Sequence, residues 1–201
     1  MYFGNYSGTL IKPFVINKCS LSQCNIDGLS SVYVFAVSPI KPIISVFVNN
    51  RELINGQDYS VSYSEDCYNI GTKTIVINGI GNYNGTANFS YSITAKNIAD
   101  EDVVIEGLVD KNYALGSEIL QDFIVKHLGS IVYASDSYSV EYSNNINAGV
   151  ATITITGKGN YTGTKSFNFN ILKLNTTAEV VCADDIIYEA NRVNLEIFNS
   201  S

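Results

Sequence analysis

The side chains that could do chemistry in this chain are few, and their spacing decides what that chemistry would be. His127 is the only histidine. It has no serine or cysteine in a nucleophile setting beside it, and one imidazole with these cysteines does not complete the usual zinc ligand sets. The four cysteines are Cys19, Cys24, Cys67 and Cys182. Cys19 and Cys24 form a Cys-x4-Cys pair without a second pair or a nearby histidine, a poor zinc pattern. A disulfide from Cys67 to Cys19 or Cys24 and a set of free thiols both stay open. Two acidic clusters, Asp100-Glu101-Asp102 and Asp184-Asp185, offer hard oxygen ligands of the kind that hold Ca2+, but neither sits in a D-x-D-x-D-G loop, and a solvated linker is the simpler reading. Lys73 and Lys96 lie on candidate strands, where an amine and an asparagine can condense to an isopeptide with loss of ammonia. Asn-x-Ser/Thr occurs at Asn5, Asn84, Asn88, Asn160, Asn175 and Asn199. Asn5 and Asn160 occupy equivalent turns, where a glycan would be exposed. No acid, base, nucleophile or metal set clusters. The sequence therefore assigns no catalytic, cofactor-binding or metal-ligating residue, and the chain reads as non-enzymatic.

The elements that must carry these residues are strands. With 46% apolar residues in 201, the chain can bury cores. It holds 12 Lys and Arg against 19 Asp and Glu, a formal charge of −7, which argues against nucleic-acid binding and against docking on anionic lipid. The longest apolar run, Val32 to Val37, is far too short to span a bilayer as a helix. Residues 1–10, MYFGNYSGTL, carry neither a basic n-region nor an apolar h-region. Thr152 to Thr156 and Ser166 to Ile171 alternate polar and apolar residues strictly, so each places one apolar face on a core. Glu118 to His127 resembles a short helix only superficially, since Ile124 and Val125 are β-branched and no apolar stripe of helical period is sustained. The chain is predicted to be all-β.

The chain also repeats itself. Gly4-Asn5-Tyr6-Ser7-Gly8-Thr9 returns at Gly81 and again at Gly159, at spacings of 77 and 78. Tyr59, Val61 and Tyr63 correspond to Tyr138, Val140 and Tyr142, and Gly71 to Gly149. Ile26-Asp27-Gly28-Leu29 matches Ile105-Glu106-Gly107-Leu108, and Phe89, Tyr91 and Ile93 match Phe167, Phe169 and Ile171. On this register Cys24 falls opposite Val103, a core-facing strand position. The pattern divides the chain into residues 1–17, the last strand of a truncated preceding module; 18–96 and 97–173, two modules; and 174–201, opening strands of a following one. Gly79, Gly81 and Gly85, with Gly157, Gly159 and Gly163, are expected to supply positive φ in the turn between the last two strands, with Tyr83 and Tyr161 covering the module end. The same glycines invite comparison with a phosphate-cradling loop, but a strand follows here and that loop must open a helix.

The runs Asp58 to Phe89 and Ser137 to Phe167 resemble the bacterial and archaeal immunoglobulin-like surface repeats that end in GNYxGT-x-x-F-x-I. The stretch ADDIIYEANRVNLEIF resembles the opening strands of such repeats in adhesin-like proteins of methanogenic archaea. The resemblance is strongest in the second half of each module and weakest over residues 30–55. It implies tandem immunoglobulin-like β-sandwich modules, a β-grasp-like module being the alternative topology, displayed outside the cell on its surface. The function it implies is a non-catalytic stalk or spacer segment with a role in adhesion. Its partners would be neighbouring repeats and cell-surface glycans or proteins, Tyr113 and Tyr133 being exposed tyrosines able to stack on sugars. An accessory substrate- or carbohydrate-binding module of a secreted enzyme is the second reading.

Overall fold

The computed structural model describes residues 8, 9 and 11–175. Strands dominate, and they gather into two units of one design. The first holds β1 (Cys19–Ser20), β2 (Asn25–Asp27), β3 (Val32–Val34), β4 (Ser45–Val48), β5 (Arg51–Glu52), β6 (Tyr59–Tyr63), β7 (Gly71–Gly79), β8 (Tyr83–Asn84) and β9 (Thr86–Thr94). The second holds β10 (Lys96–Asn97), β11 (Val103–Glu106), β12 (Lys111–Asn112), β13 (Ile124–His127), β14 (Ser130–Val132), the short helix α1 (Ala134–Ser137), β15 (Tyr138–Ser143), β16 (Gly149–Gly157), β17 (Tyr161–Thr162) and β18 (Thr164–Leu172). Ala95 alone separates the last strand of one unit from the first strand of the next.

Each unit has a four-stranded sheet, β3-β9-β7-β6 or β12-β18-β16-β15, and a three-stranded sheet, β2-β4-β5 or β11-β13-β14. A two-residue parallel pair, β1 with β8 or β10 with β17, ties the entering chain to the Gly-Asn-Tyr turn. In the larger sheet the edge strands β3 and β12 run parallel to β9 and β18, while the remaining pairs are antiparallel. The architecture is all-β and sandwich-like, as the alternation requires. Ile75, Ile77, Tyr91 and Ile93 face inward with Val46, Val48 and Leu53, and the second unit buries Ala151, Ile153, Ile155, Phe169 and Ile171 with Val125 and Val132. Each fully buried Val or Ile contributes roughly 1.5 to 3 kcal/mol. The opposite face of the larger sheets is hydroxyl and amide: Thr152 Oγ1 donates to Asn168 Oδ1 at 3.0 Å, and Thr86 Oγ1 to Asn78 Oδ1 at 2.8 Å.

The weakly matched stretch 30–55 hides a hairpin common to both units. Asn49 and Asn50 have φ of 48° and 64° between β4 and β5; Leu128 and Gly129 have 49° and 80° between β13 and β14. Two consecutive positive φ values are what a two-residue hairpin turn needs to follow the strand twist. The hairpin aligns the units at a spacing of 79, so that His127 occupies the strand position of Val48.

The turn glycines divide into two kinds. Gly81, Gly85, Gly159 and Gly163 have positive φ as expected, but Gly79 and Gly157 do not. A side chain on Gly79 would stand 2.7 Å from the backbone nitrogen of Asn84, and one on Gly157 equally close to that of Thr162, so these two are needed for close approach. Described residues 11–18 form no strand, and the rest of the expected last strand within 1–17 lies largely outside the described residues, as do the expected opening strands beyond 175, with Asp184-Asp185 and Cys182. No helix among the described residues is long and apolar enough to cross a membrane.

Candidate functional site

Of the polar residues singled out above, Lys96, Asp100, Asp102, His127 and Asn160 converge at the joint between the two units. Leaving β9, the chain enters β10, where the Lys96 amide donates to the Asn160 carbonyl at 3.0 Å and the Ile98 amide to that of Thr162 at 2.8 Å. Ile98 is fully buried and anchors the segment. The Asn97 side chain accepts the Ala99 amide at 3.0 Å and turns the chain, so that Asp100 and Asp102 come back toward Lys96. The Lys96 ammonium lies 2.8 Å from Asp100 Oδ2 and 2.8 Å from Asp102 Oδ1. The cluster stays partly exposed, as a solvated linker would, but a lysine stands between its two aspartates.

Asp102 also reaches His127. Its Oδ2 lies 3.5 Å from His127 Nε2, and His127 Nδ1 lies 3.0 Å from the Tyr161 hydroxyl. A neutral imidazole suits this setting, with the Tyr161 O–H donating to Nδ1 and Nε2–H facing the carboxylate. Only 1% of His127 is exposed, so no substrate reaches it. Burial pulls its pKa below the ordinary value; Asp102 works against that shift and Lys96 adds to it. The lysine hydrogen bond holds the Asp102 pKa down. Burial tends to lower the Lys96 pKa, but the two carboxylates outweigh it and leave the value raised. Burial pushes the Tyr161 hydroxyl up to about 12.

The first unit closes the joint with Phe35, which follows β3 and is 3% exposed. Its ring meets Tyr161 edge-on at 5.3 Å, Tyr68 at 5.2 Å and His127 at 6.1 Å. At the rim, Asn160 Nδ2 donates to Asn69 Oδ1 at 2.8 Å, and the Ile70 amide donates to Asn160 Oδ1 at 3.0 Å. The joint is thus an aromatic plug, a charged network and an amide clamp. A glycan on Asn160 would occupy the nitrogen that makes the clamp, which corrects the expectation of a free turn position there.

Other candidates lie elsewhere. Cys19, Cys24 and Cys67 are free thiols, Cys67 being buried with its Sγ donating to the Ser64 carbonyl at 3.0 Å. Lys73 pairs with Asp66 at 3.0 Å, and two backbone amides together with that lysine hold the Asp66 carboxyl far below the usual range. Carboxylates, not asparagine amides, face both Lys73 and Lys96, so neither amine is placed for the isopeptide with asparagine. Tyr133 is 72% exposed on the groove beside the joint, whereas Tyr113, at the far end of the second unit, is half-buried and packs on the core, which corrects the expectation of an exposed ring there. Phe35, Tyr68 and Asn69 were not singled out by type or motif. Register could have found two of them: at a spacing of 78, Phe35 falls opposite Tyr113 and Asn69 opposite Asn147.

No protein-family model matches the chain, and no curated protein matches it.

Proposed function

We propose that the chain is a non-catalytic segment of an extracellular, cell-surface tandem array of immunoglobulin-like modules, serving as a stalk or spacer and, through exposed faces, in adhesion. The observation that carries this reading is the joint. Two units of equivalent design are separated by a single residue, Ala95, and locked by Phe35, the Lys96 network and the Asn160 clamp. Repeat units that touch only their neighbours through such a contact transmit direction along the chain, which a stalk requires and a hinged pair of enzyme domains does not. A three-stranded and a four-stranded sheet around one core in each unit supports the immunoglobulin-like assignment. The GNYxGT turn, present in both units, supports the surface-repeat assignment.

Antibodies against the chain, applied to intact and to permeabilised cells of the source, test the reading. Labelling of intact cells supports surface display. Labelling seen only after permeabilisation overturns it, and a catalytic domain encoded beside the array would turn it into an enzyme's accessory module.

A further inference from the structure

A groove of about 360 Å3 lies at the joint, and both units contribute to it. Its floor is apolar: Phe35 of the first unit and Val132 and Tyr161 of the second are all buried. Its rim is aromatic and polar, with Tyr68 from the first unit and Tyr133, Asp136 and Ser137 from the second. Tyr68, Tyr133 and Asp136 are exposed. The groove is open with the Phe35 plug and the Asn160 clamp both in place, so it belongs to the joined units.

The fold does not need the rim side chains of the second unit. At a spacing of 79, Tyr133 and Asp136 fall opposite Ile54 and Gln57. The backbone is alike in both places: a side chain on Gly159 would stand 2.9 Å from the Asp136 carbonyl oxygen, and one on Gly81 2.8 Å from that of Gln57. Ser137 falls opposite Asp58, whose carboxylate is occupied in accepting the Ile54 amide at 3.0 Å. In the second unit a carboxylate stands one residue earlier, at Asp136, where it makes no hydrogen bond or ion pair with another described residue. The side-chain hydroxyls of Tyr68, Tyr133 and Ser137 are equally unengaged among the described residues.

We infer that this groove is a binding site for the end of a neutral oligosaccharide. A sugar ring presents C–H faces and a fringe of hydroxyls. Tyr68 and Tyr133 supply aromatic surface for the first, and their hydroxyls, with those of Ser137 and the Asp136 carboxylate, supply donors and acceptors for the second. A carboxylate only accepts, so it suits the O–H donors of a neutral sugar and repels an acidic one, as does the formal charge of −7. A cation is also drawn to aromatic rings beside a carboxylate, but it offers donors alone and leaves the donors of these hydroxyls unmatched. The volume lies at the lower end of small-molecule sites, about 300 to 1,000 Å3, and admits about one or two sugar rings. The site names a ligand class for the adhesive role proposed above and rests on that reading.

Amide spectra of the isotope-labelled full chain, titrated with lactose, maltose, cellobiose and diacetylchitobiose to about 20 mM each, test it across the range where a Kd on the order of 1 mM is visible. The expected result is a set of saturating shifts at Tyr68, Tyr133, Ser137 and the Asn160 side chain with at least one of these sugars. Affinity should fall about tenfold or more in both Tyr133→Ala and Asp136→Ala, with the remaining spectrum unchanged. No shift with any of the sugars, or binding that survives both substitutions, overturns it. So does saturation of the same amides by choline in place of the sugars, which would make the groove a cation site. Surface labelling of intact cells without sugar binding overturns the site and leaves the stalk; sugar binding by a chain found only inside cells does the reverse.

Discussion

The entering ends of the two units share a backbone plan and differ in chemistry. In the first unit, Cys19 begins the parallel pair with the Gly-Asn-Tyr turn, Val48 ends the central strand of the small sheet, and Leu21 and Cys24 are three residues apart. In the second, Lys96 replaces Cys19, His127 replaces Val48, and the equivalent pair Ile98 and Val103 is separated by two residues more, the added length carrying the acidic cluster. Leu21 and Ile98 are buried alike. The comparison teaches that the fold needs only the apolar positions. The charged network belongs to the place where one unit meets another.

The largest effect should separate the buried ring of Phe35 at the joint from its half-buried counterpart Tyr113. Phe35→Ala removes a buried ring and is expected to lower the unfolding free energy by about 3 kcal/mol, whereas Tyr113→Ala should cost less than about 1 kcal/mol. Urea denaturation of the two variants checks this, and equal losses would erase the distinction. Next is Lys96→Met, which leaves Asp100 and Asp102 without their cation. Because both carboxylates are partly exposed and regain water, the expected loss is about 1 kcal/mol. The same change should raise the His127 pKa, since Lys96 helps to hold it down; titration of the imidazole proton signals measures that directly.

His127 sets a pH dependence that Val48 cannot. Its folded pKa lies below the ordinary 6.5, so the unfolded chain takes the proton more readily. The stabilisation is fully present above about pH 6.5 and is lost as pH falls through the folded value. Asp102, also lowered, adds loss in the same direction at more acid pH. The facing groups are Asp102 and Asp100 with Lys96, and Tyr161, whose raised pKa acts only at alkaline pH. Denaturation at pH 7.5, 6 and 5, on the order of the imidazole range, should show the fall in the native chain and a flatter profile in His127→Val; identical profiles would remove His127 from the account. Smallest is Asn160→Ala, expected to cost on the order of 0.5 to 1 kcal/mol for two exposed hydrogen bonds and to release the Ile70 amide to faster hydrogen exchange.

Period-two alternation made the long strands legible: Thr152 to Thr156 and Ser166 to Ile171 lie in β16 and β18. The repeat of GNYxGT located the turn between the last two strands. The β4–β5 hairpin was not legible, because its turn is Asn-Asn in one unit and Leu-Gly in the other, and similar backbones follow from dissimilar residues. At the joint, the acidic cluster was visible as a junction feature, but its partner was not, since a lysine four residues before Asp100 says nothing about where the chain turns. His127 read as a residue without company for the same reason. Tyr161 and Asp102 are distant from it in sequence, and only pairing of β11 with β13 and the β17 turn bring them together. Phe35 sat inside an apolar run whose neighbours Val32 and Val34 are half exposed, so hydrophobicity alone did not distinguish the plug from the strand before it.

On the proposed reading the joint makes the two units one stiff piece. Residual dipolar couplings of both units, measured in one weakly aligned sample of the full chain, test it most directly. A single alignment tensor fitting the amides of 19–94 and 96–172 together is the predicted result. Two tensors of different magnitude for the two units would show independent tumbling and contradict the account.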